Sequence, residues 1–174
     1  EVRESVEVLA GGGPKDVVEL TVRLAEEMLE AAGRGGQDVR AALNDGRAMD
    51  AWRRMIAAQG GDPDAPLPVA KETHVVTAPT SGTLTSLDAY AVGIAAWRLG
   101  AGRARKEDPV QAGAGVELHA QLGDHVEAGD PLLTLHTDTP ERFDRALEAL
   151  KGGYAVGSPD EAAHLPLIID RIAK

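Results

Sequence analysis

Apolar residues recur every three or four places over the first sixty positions and every second place beyond them, so the chain predicts helices followed by strands. Val2, Val6 and Leu9 have helical spacing, and nothing ahead of Glu1 can cap that helix. The chain therefore reads as starting inside an element, as expected for a piece of a larger protein. Gly11-Gly12-Gly13 ends this helix, and Pro14 suits the first turn of a second, where its missing N–H costs nothing. There Val17, Leu20, Thr21, Leu24 and Met28 line one face, widened by Val18, Ala25 and Leu29, and Gly33 stops it. A short helix around Val39 to Leu43 comes next. Asp45 is placed to cap another that turns Met49, Trp52, Met55 and Ile56 inward. Gly60 through Pro68 is rich in Gly, Pro and Asp with little to pack, and marks a domain boundary.

Beyond that boundary the pattern changes in kind. Thr73 to Ala78 predicts a strand ending at Pro79, and Ser81-Gly82 turns the chain into a second over Thr83 to Leu87. Asp88 caps a helix with Val92, Ala95, Ala96 and Leu99 on its apolar face, closed by Gly100. Gly93 inside it costs about 1 kcal/mol against alanine, which predicts a close helix-to-sheet approach. Between Gly113 and His136, Val116 and Leu118 alternate with Glu117 and His119. Gly123-Asp124 then turns the chain, and Gly129-Asp130-Pro131 starts a further strand at Leu132, Leu133 and Leu135. Asp at these corners is expected to bond its own downstream backbone N–H. Thr139-Pro140-Glu141 opens a last helix using Phe143, Ala146, Leu147 and Leu150. Tyr154 to Val156 reads as a short strand, and Leu167 to Ile172 as a final apolar segment.

Composition narrows the functions open to such a chain. At 174 residues it can bury one full core or two small ones, and with no cysteine it has neither disulfides nor thiolate chemistry, which fits a reducing cytoplasm. No apolar run reaches the roughly 18 residues that span a bilayer. A net charge of −10 argues against a nucleic-acid surface. The local exception is Arg98, Arg103, Arg105 and Lys106, which Glu107 and Asp108 follow at once; a solvated, internally paired turn is the expectation. With aromatics at 3%, Trp52 and Trp97 are expected in core packing rather than as stacking platforms.

Candidate chemistry is sparse. The five histidines are His74, His119, His125, His136 and His164, none paired at the i, i+4 spacing of a zinc helix. His119 and His136 meet only if their strands pair suitably, with Asp124 or Glu127 as a third metal ligand. Strand-end histidines facing water are the ordinary alternative. Ser81 lacks the G-x-S-x-G elbow of a serine nucleophile, and the glycines before Pro14 lack a Walker lysine, so they read as a plain turn.

The run from Val75 through Leu84 and the later G-D-x-V-x-x-G-D stretch with its flanking strands resemble the two half-motifs of lipoyl and biotinyl domains. That resemblance implies a free-standing carrier or binding module as the alternative function. Lys106 is the only lysine between the half-motifs, and an adduct on it in a mass spectrum would mark a carrier. Residues 1–4, Asp45-Gly46-Arg47-Ala48, Met55 through Asp62, Ala78-Pro79-Thr80-Ser81-Gly82, and Leu99 through Pro109 together resemble the C-terminal part of the thymidine or pyrimidine-nucleoside phosphorylases.

This second resemblance implies an α+β chain. Residues 1–61 would be a helical part of the phosphate-binding domain, residues 62–72 a linker, and residues 73–174 a β-rich C-terminal domain of barrel-sandwich type. It implies reversible phosphorolysis of a pyrimidine nucleoside to base and (deoxy)ribose 1-phosphate in a cytoplasmic salvage enzyme. Phosphate would be the co-substrate, and the enzyme a homodimer joined through a helical domain N-terminal to this region. The phosphate loop and the base-reading arginine, serine and lysine of the family precede Glu1, so no catalytic residue is assigned here. Some members bind potassium, and the second glutamate of E-V-x-E, implied as a ligand, falls on Glu4.

Overall fold

The computed structural model describes residues 1–161 and 166–172, and these divide into two compact units. One holds Glu1–Pro66 with residues 166–172; the other holds residues 67–161. The chain is α+β.

The first unit contains α1 (Val2–Leu9), α2 (Lys15–Ala31), α3 (Val39–Asn44) and α4 (Arg47–Ala58). Pro14 stands one place ahead of α2, in extended conformation. Asp38 caps α3 by accepting from Ala41 N at 2.9 Å. Asp45 does not cap α4, because Gly46 takes the cap position; Asp45 instead accepts from Arg47 N and pairs with the Arg47 guanidinium.

The core of this unit is small: Val8, Val22 and Leu43, with Leu9, Val17, Val18, Val39 and Ala48 packed around them. The face expected for α2 is corrected by this packing. Leu20, Leu24 and Met28 are 38%, 54% and 67% exposed, while Val22 is buried. Helix α2 is apolar over much of its circumference, and within this unit only the side carrying Val18 and Val22 meets the small core. Met55 on α4 is also exposed, against expectation. Residues 166–172 carry no regular structure, and Ile169 and Ile172 face water. Arg171 fastens this segment to α2 through Glu27 and Glu30 at 2.9 and 2.6 Å. It therefore belongs with the helices and not with the β-rich unit where the sequence placed it.

The second unit holds β1 (Glu72–Thr77), β2 (Gly82–Leu87), α5 (Ala89–Ala96), β3 (Gly115–Leu118), β4 (His125–Val126), β5 (Pro131–Thr137), α6 (Phe143–Leu150) and β6 (Tyr154–Gly157). A π turn, Trp97–Ala101, continues α5, and a 3-10 turn, Pro140–Arg142, precedes α6. The strands form two antiparallel three-stranded sheets, in the orders β1-β5-β3 and β4-β2-β6. Leu132 through Leu135 are buried without a break, as in a strand covered on both faces. Leu84, Leu99, Leu150, Ala95 and Ala146 complete the core with them. Asp88 caps α5 as expected, accepting from Tyr90 N at 2.8 Å. Gly93 is exposed, and a Cβ there would meet nothing within 4 Å, so the close approach expected at this glycine does not occur.

A polar knot lies inside this core. The fully buried Thr137 hydroxyl donates to Leu99 O at 2.7 Å and accepts from Thr139 N at 3.2 Å. Gln111 joins the same strand end from its loop: its Oε1 accepts from Asp138 N at 2.7 Å, its Nε2 donates to Thr139 Oγ1 at 2.8 Å, and its backbone N–H donates to Gly100 O. Thr137→Val keeps the shape and leaves buried partners unsatisfied. It is expected to destabilise the unit by about 1–3 kcal/mol, read as a lower urea midpoint at unchanged slope.

Candidate functional site

Two turns of one design shape the tip of the β-rich unit. In Gln121 to Asp124 and again in Glu127 to Asp130, glycine holds the third place at φ 95°, the backbone of a type II turn. Each aspartate closes its turn twice. Asp124 N donates to Gln121 O while its carboxylate accepts from Gln121 N, and Asp130 does the same with Glu127. The aspartates thus bond upstream by three residues, not downstream as expected. The second turn is clamped to the β1–β2 turn by Ala78 N to Asp130 O at 2.8 Å and Gly129 N to Ala78 O at 2.9 Å.

Ser81 completes that clamp. Its hydroxyl donates to Glu127 Oε2 at 2.6 Å and accepts from Ala128 N at 3.0 Å, and His125 approaches the other carboxylate oxygen at 3.3 Å. Serine, glutamate and histidine stand together here, but the serine proton is given to the carboxylate, and no imidazole is positioned to take it. The group is a structural latch between turns. The Ser81 hydrogen bond, and after it that of His125, holds the Glu127 carboxyl below its ordinary range. A depressed pKa stabilises the fold above the unfolded-state value and loses that contribution as pH falls through the folded value. The latch is therefore expected to weaken on acidification below the ordinary carboxylate range. Glu127→Gln should flatten the acid limb of the urea midpoint plotted against pH.

The pairing of β3 with β5 separates the two histidines that were candidates for a metal. His136 lies opposite Gly115, and His119 lies beside Leu132 at the other end of the pair. His119 Nε2 contacts Thr134 Oγ1 at 2.7 Å, and His136 Nε2 lies 3.3 Å from Glu117. Among the described residues no cluster of His, Asp and Glu suited to a metal ion is formed. His164 lies outside the described residues.

Glu4 is exposed in the first turn of α1. Hard cations take several oxygen ligands at once. A lone exposed carboxylate does not supply them, so residues of this chain by themselves do not fit a cation site. Lys106 occupies an exposed irregular loop, its carbonyl accepting from Arg103, where a carrier hairpin would need a tight strand-to-strand turn. The basic cluster is tied differently from expectation. Among the described residues, Arg98, Arg103 and Arg105 form backbone hydrogen bonds rather than ion pairs, Arg105 through its N–H to Asp108. Trp97 is 38% exposed and not in the core.

Comparisons with known proteins bear on this arrangement. Residues 83–157 match the family model described as the pyrimidine nucleoside phosphorylase C-terminal domain. A thymidine phosphorylase of Mycobacterium tuberculosis is 56% identical over 173 residues, covering 99% of this chain and 40% of the relative. A pyrimidine-nucleoside phosphorylase of Staphylococcus epidermidis is 35% identical over 183 residues, covering 99% and 41%. An AMP phosphorylase of Pyrococcus furiosus is 35% identical over 156 residues, covering 84% and 30%. The chain thus spans about two fifths of the length of the first two relatives.

Proposed function

Because the chain belongs to the thymidine/pyrimidine-nucleoside phosphorylase family, as its C-terminal portion, we propose that it serves a phosphorolytic enzyme whose catalytic groups lie outside these 174 residues. In the proposed reaction a phosphate oxygen bonds to C1′ of a pyrimidine nucleoside as the C1′–N bond breaks. The base leaves with the bonding pair and takes up a proton. Positive charge grows on the sugar and negative charge on the base, so the enzyme must hold an anion beneath C1′ and donors at the base. The observation that carries this reading is 56% identity, across 99% of the chain, to a relative of which it covers only 40%.

Within that reading, residues 1–61 act as the helical part of the phosphate-binding domain, residues 62–72 as linker and the β-rich stretch from residue 73 as the C-terminal domain, with residues 166–172 grouped with the helices. Paired three-stranded sheets with two clamped turns support a barrel-sandwich description. Glu4 is one ligand of a potassium site completed from outside the chain. The enzyme is placed in the cytoplasm, a reading that the cysteine-free composition and the family resemblance support. Dimerisation through a helical domain elsewhere in the enzyme rests on the family resemblance. The test is to express the longest polypeptide encoded in frame with these residues and supply thymidine or uridine with phosphate. Base and pentose 1-phosphate are expected in equal amounts, and no turnover of any pyrimidine nucleoside would refute the proposal.

A further inference from the structure

Where α5 runs out, the π turn widens the helix and Gly100, at φ 117°, redirects the chain. This exposes a groove of about 290 Å³ on the β-rich unit, lined among others by Trp97, Arg98, Gly102, Asp108, Arg142 and Arg145. Three guanidinium groups against one carboxylate is an unusual concentration in a chain of net charge −10.

The carboxylate is already engaged, since Asp108 accepts from Arg105 N at 2.9 Å. Arg98 gives one donor to Arg145 O at 2.6 Å, which fixes it against α6 and leaves the rest of its fork unspent. Arg142 and Arg145 make no side-chain hydrogen bond or ion pair among the described residues, so their donors are open to a ligand in the groove. Glu148, the nearby carboxylate that feels Arg98, is bonded to Lys151.

The aromatic wall is also built. Gly102 lies so close to the edge of the indole that a Cβ there would come within 2.6 Å of Trp97 Cδ1, and the Trp97 Nε1–H has no partner among the described residues. The buried knot of Gln111 and Thr137 holds the turn beneath from behind, through Gln111 N to Gly100 O. The turn and Arg98 are therefore held in place, while the Arg142 and Arg145 forks are free to turn onto a ligand. Planar guanidinium forks match phosphate oxygens bidentately, and an indole face suits a flat ring.

We propose that this groove binds a small phosphomonoester carrying a flat ring, with Arg142, Arg145 and the free donors of Arg98 on the phosphate and Trp97 on the ring. The test is a binding measurement on these 174 residues and does not depend on turnover. Uridine 5′-monophosphate, uridine and inorganic phosphate are titrated separately at low ionic strength, while the two indole N–H resonances are followed by ¹H–¹⁵N NMR. Trp97→Phe assigns which resonance is which.

The monophosphate should move the Trp97 signal to saturation, with a Kd below about 1 mM, and leave Trp52 in place. Phosphate alone should bind about tenfold more weakly, and uridine should not saturate. Arg145→Gln, at an exposed position, and Arg142→Gln should each weaken the monophosphate about tenfold. Arg105→Gln should not. An unsaturated monophosphate titration, equal affinity for uridine, or unchanged affinity in both arginine variants with native-like spectra would overturn the proposal.

Discussion

Leu135→Ala is expected to cost the β-rich unit about 3 kcal/mol, within the 2–5 kcal/mol typical of a buried leucine truncated to alanine. Leu135 is fully buried in the central strand of the β1-β5-β3 sheet, opposite His74 on one side and Val116 on the other. Its neighbours Leu132, Leu133 and Leu99 are equally enclosed, so the vacated space has no side chain free to collapse into it. Because the two units are separately compact, the loss should appear in probes of the sheet. Urea unfolding followed by amide exchange of β1, β3 and β5 should shift while α2 retains its protection. Loss of less than about 1 kcal/mol would mean that the face of β5 carrying Leu135 is not packed as described.

Gly82→Ala is the second large effect, and it comes from adding atoms. Gly82 starts β2, pairs with Val126 and runs against the end of β6. A Cβ there would lie 2.8 Å from the Gly157 carbonyl oxygen and 3.0 Å from Val156 Cγ1. One neighbour is backbone and cannot rotate away, so β6 must be pushed aside. The expected cost is about 2–3 kcal/mol, in the range of overpacked sites. Gly93→Ala is the matched control: with open space around it and helical backbone, it should stabilise by up to about 1 kcal/mol. Thermal melts of the two variants should move in opposite directions.

Much of the fold was legible because its signals are local. Asp88 caps the helix that begins just after it, Gly123 and Gly129 sit where type II turns demand positive φ, and Val116 and Leu135 mark the strands they occupy. The features that were not legible depend on partners distant in sequence. Nothing in the spacing of Leu20, Leu24 and Met28 reveals that α2 seats only one edge of its wide apolar face, at Val17, Val18 and Val22, on the small core. Gln111 reads as an ordinary loop residue, yet it holds the end of β5 some 26 residues away. The latch between Ser81 and Glu127 spans 46 residues. For both residues the only signal was a polar side chain beside a predicted strand end. The histidines mislead for a related reason: strand pairing predicts proximity only when the register is known, and here the register sends His119 and His136 to opposite ends. Trp97 lies outside the core because the buried face here is carried by Ala95 and Leu99, and position 97 between them points away from it.

Incubation of the purified 174-residue protein with thymidine and phosphate, with thymine and deoxyribose 1-phosphate followed by chromatography, tests most directly whether the catalytic groups lie elsewhere. No product above the uncatalysed background is expected, from a sample whose sheet amides remain protected. Sustained turnover would show that these residues carry a complete active site and would contradict the account.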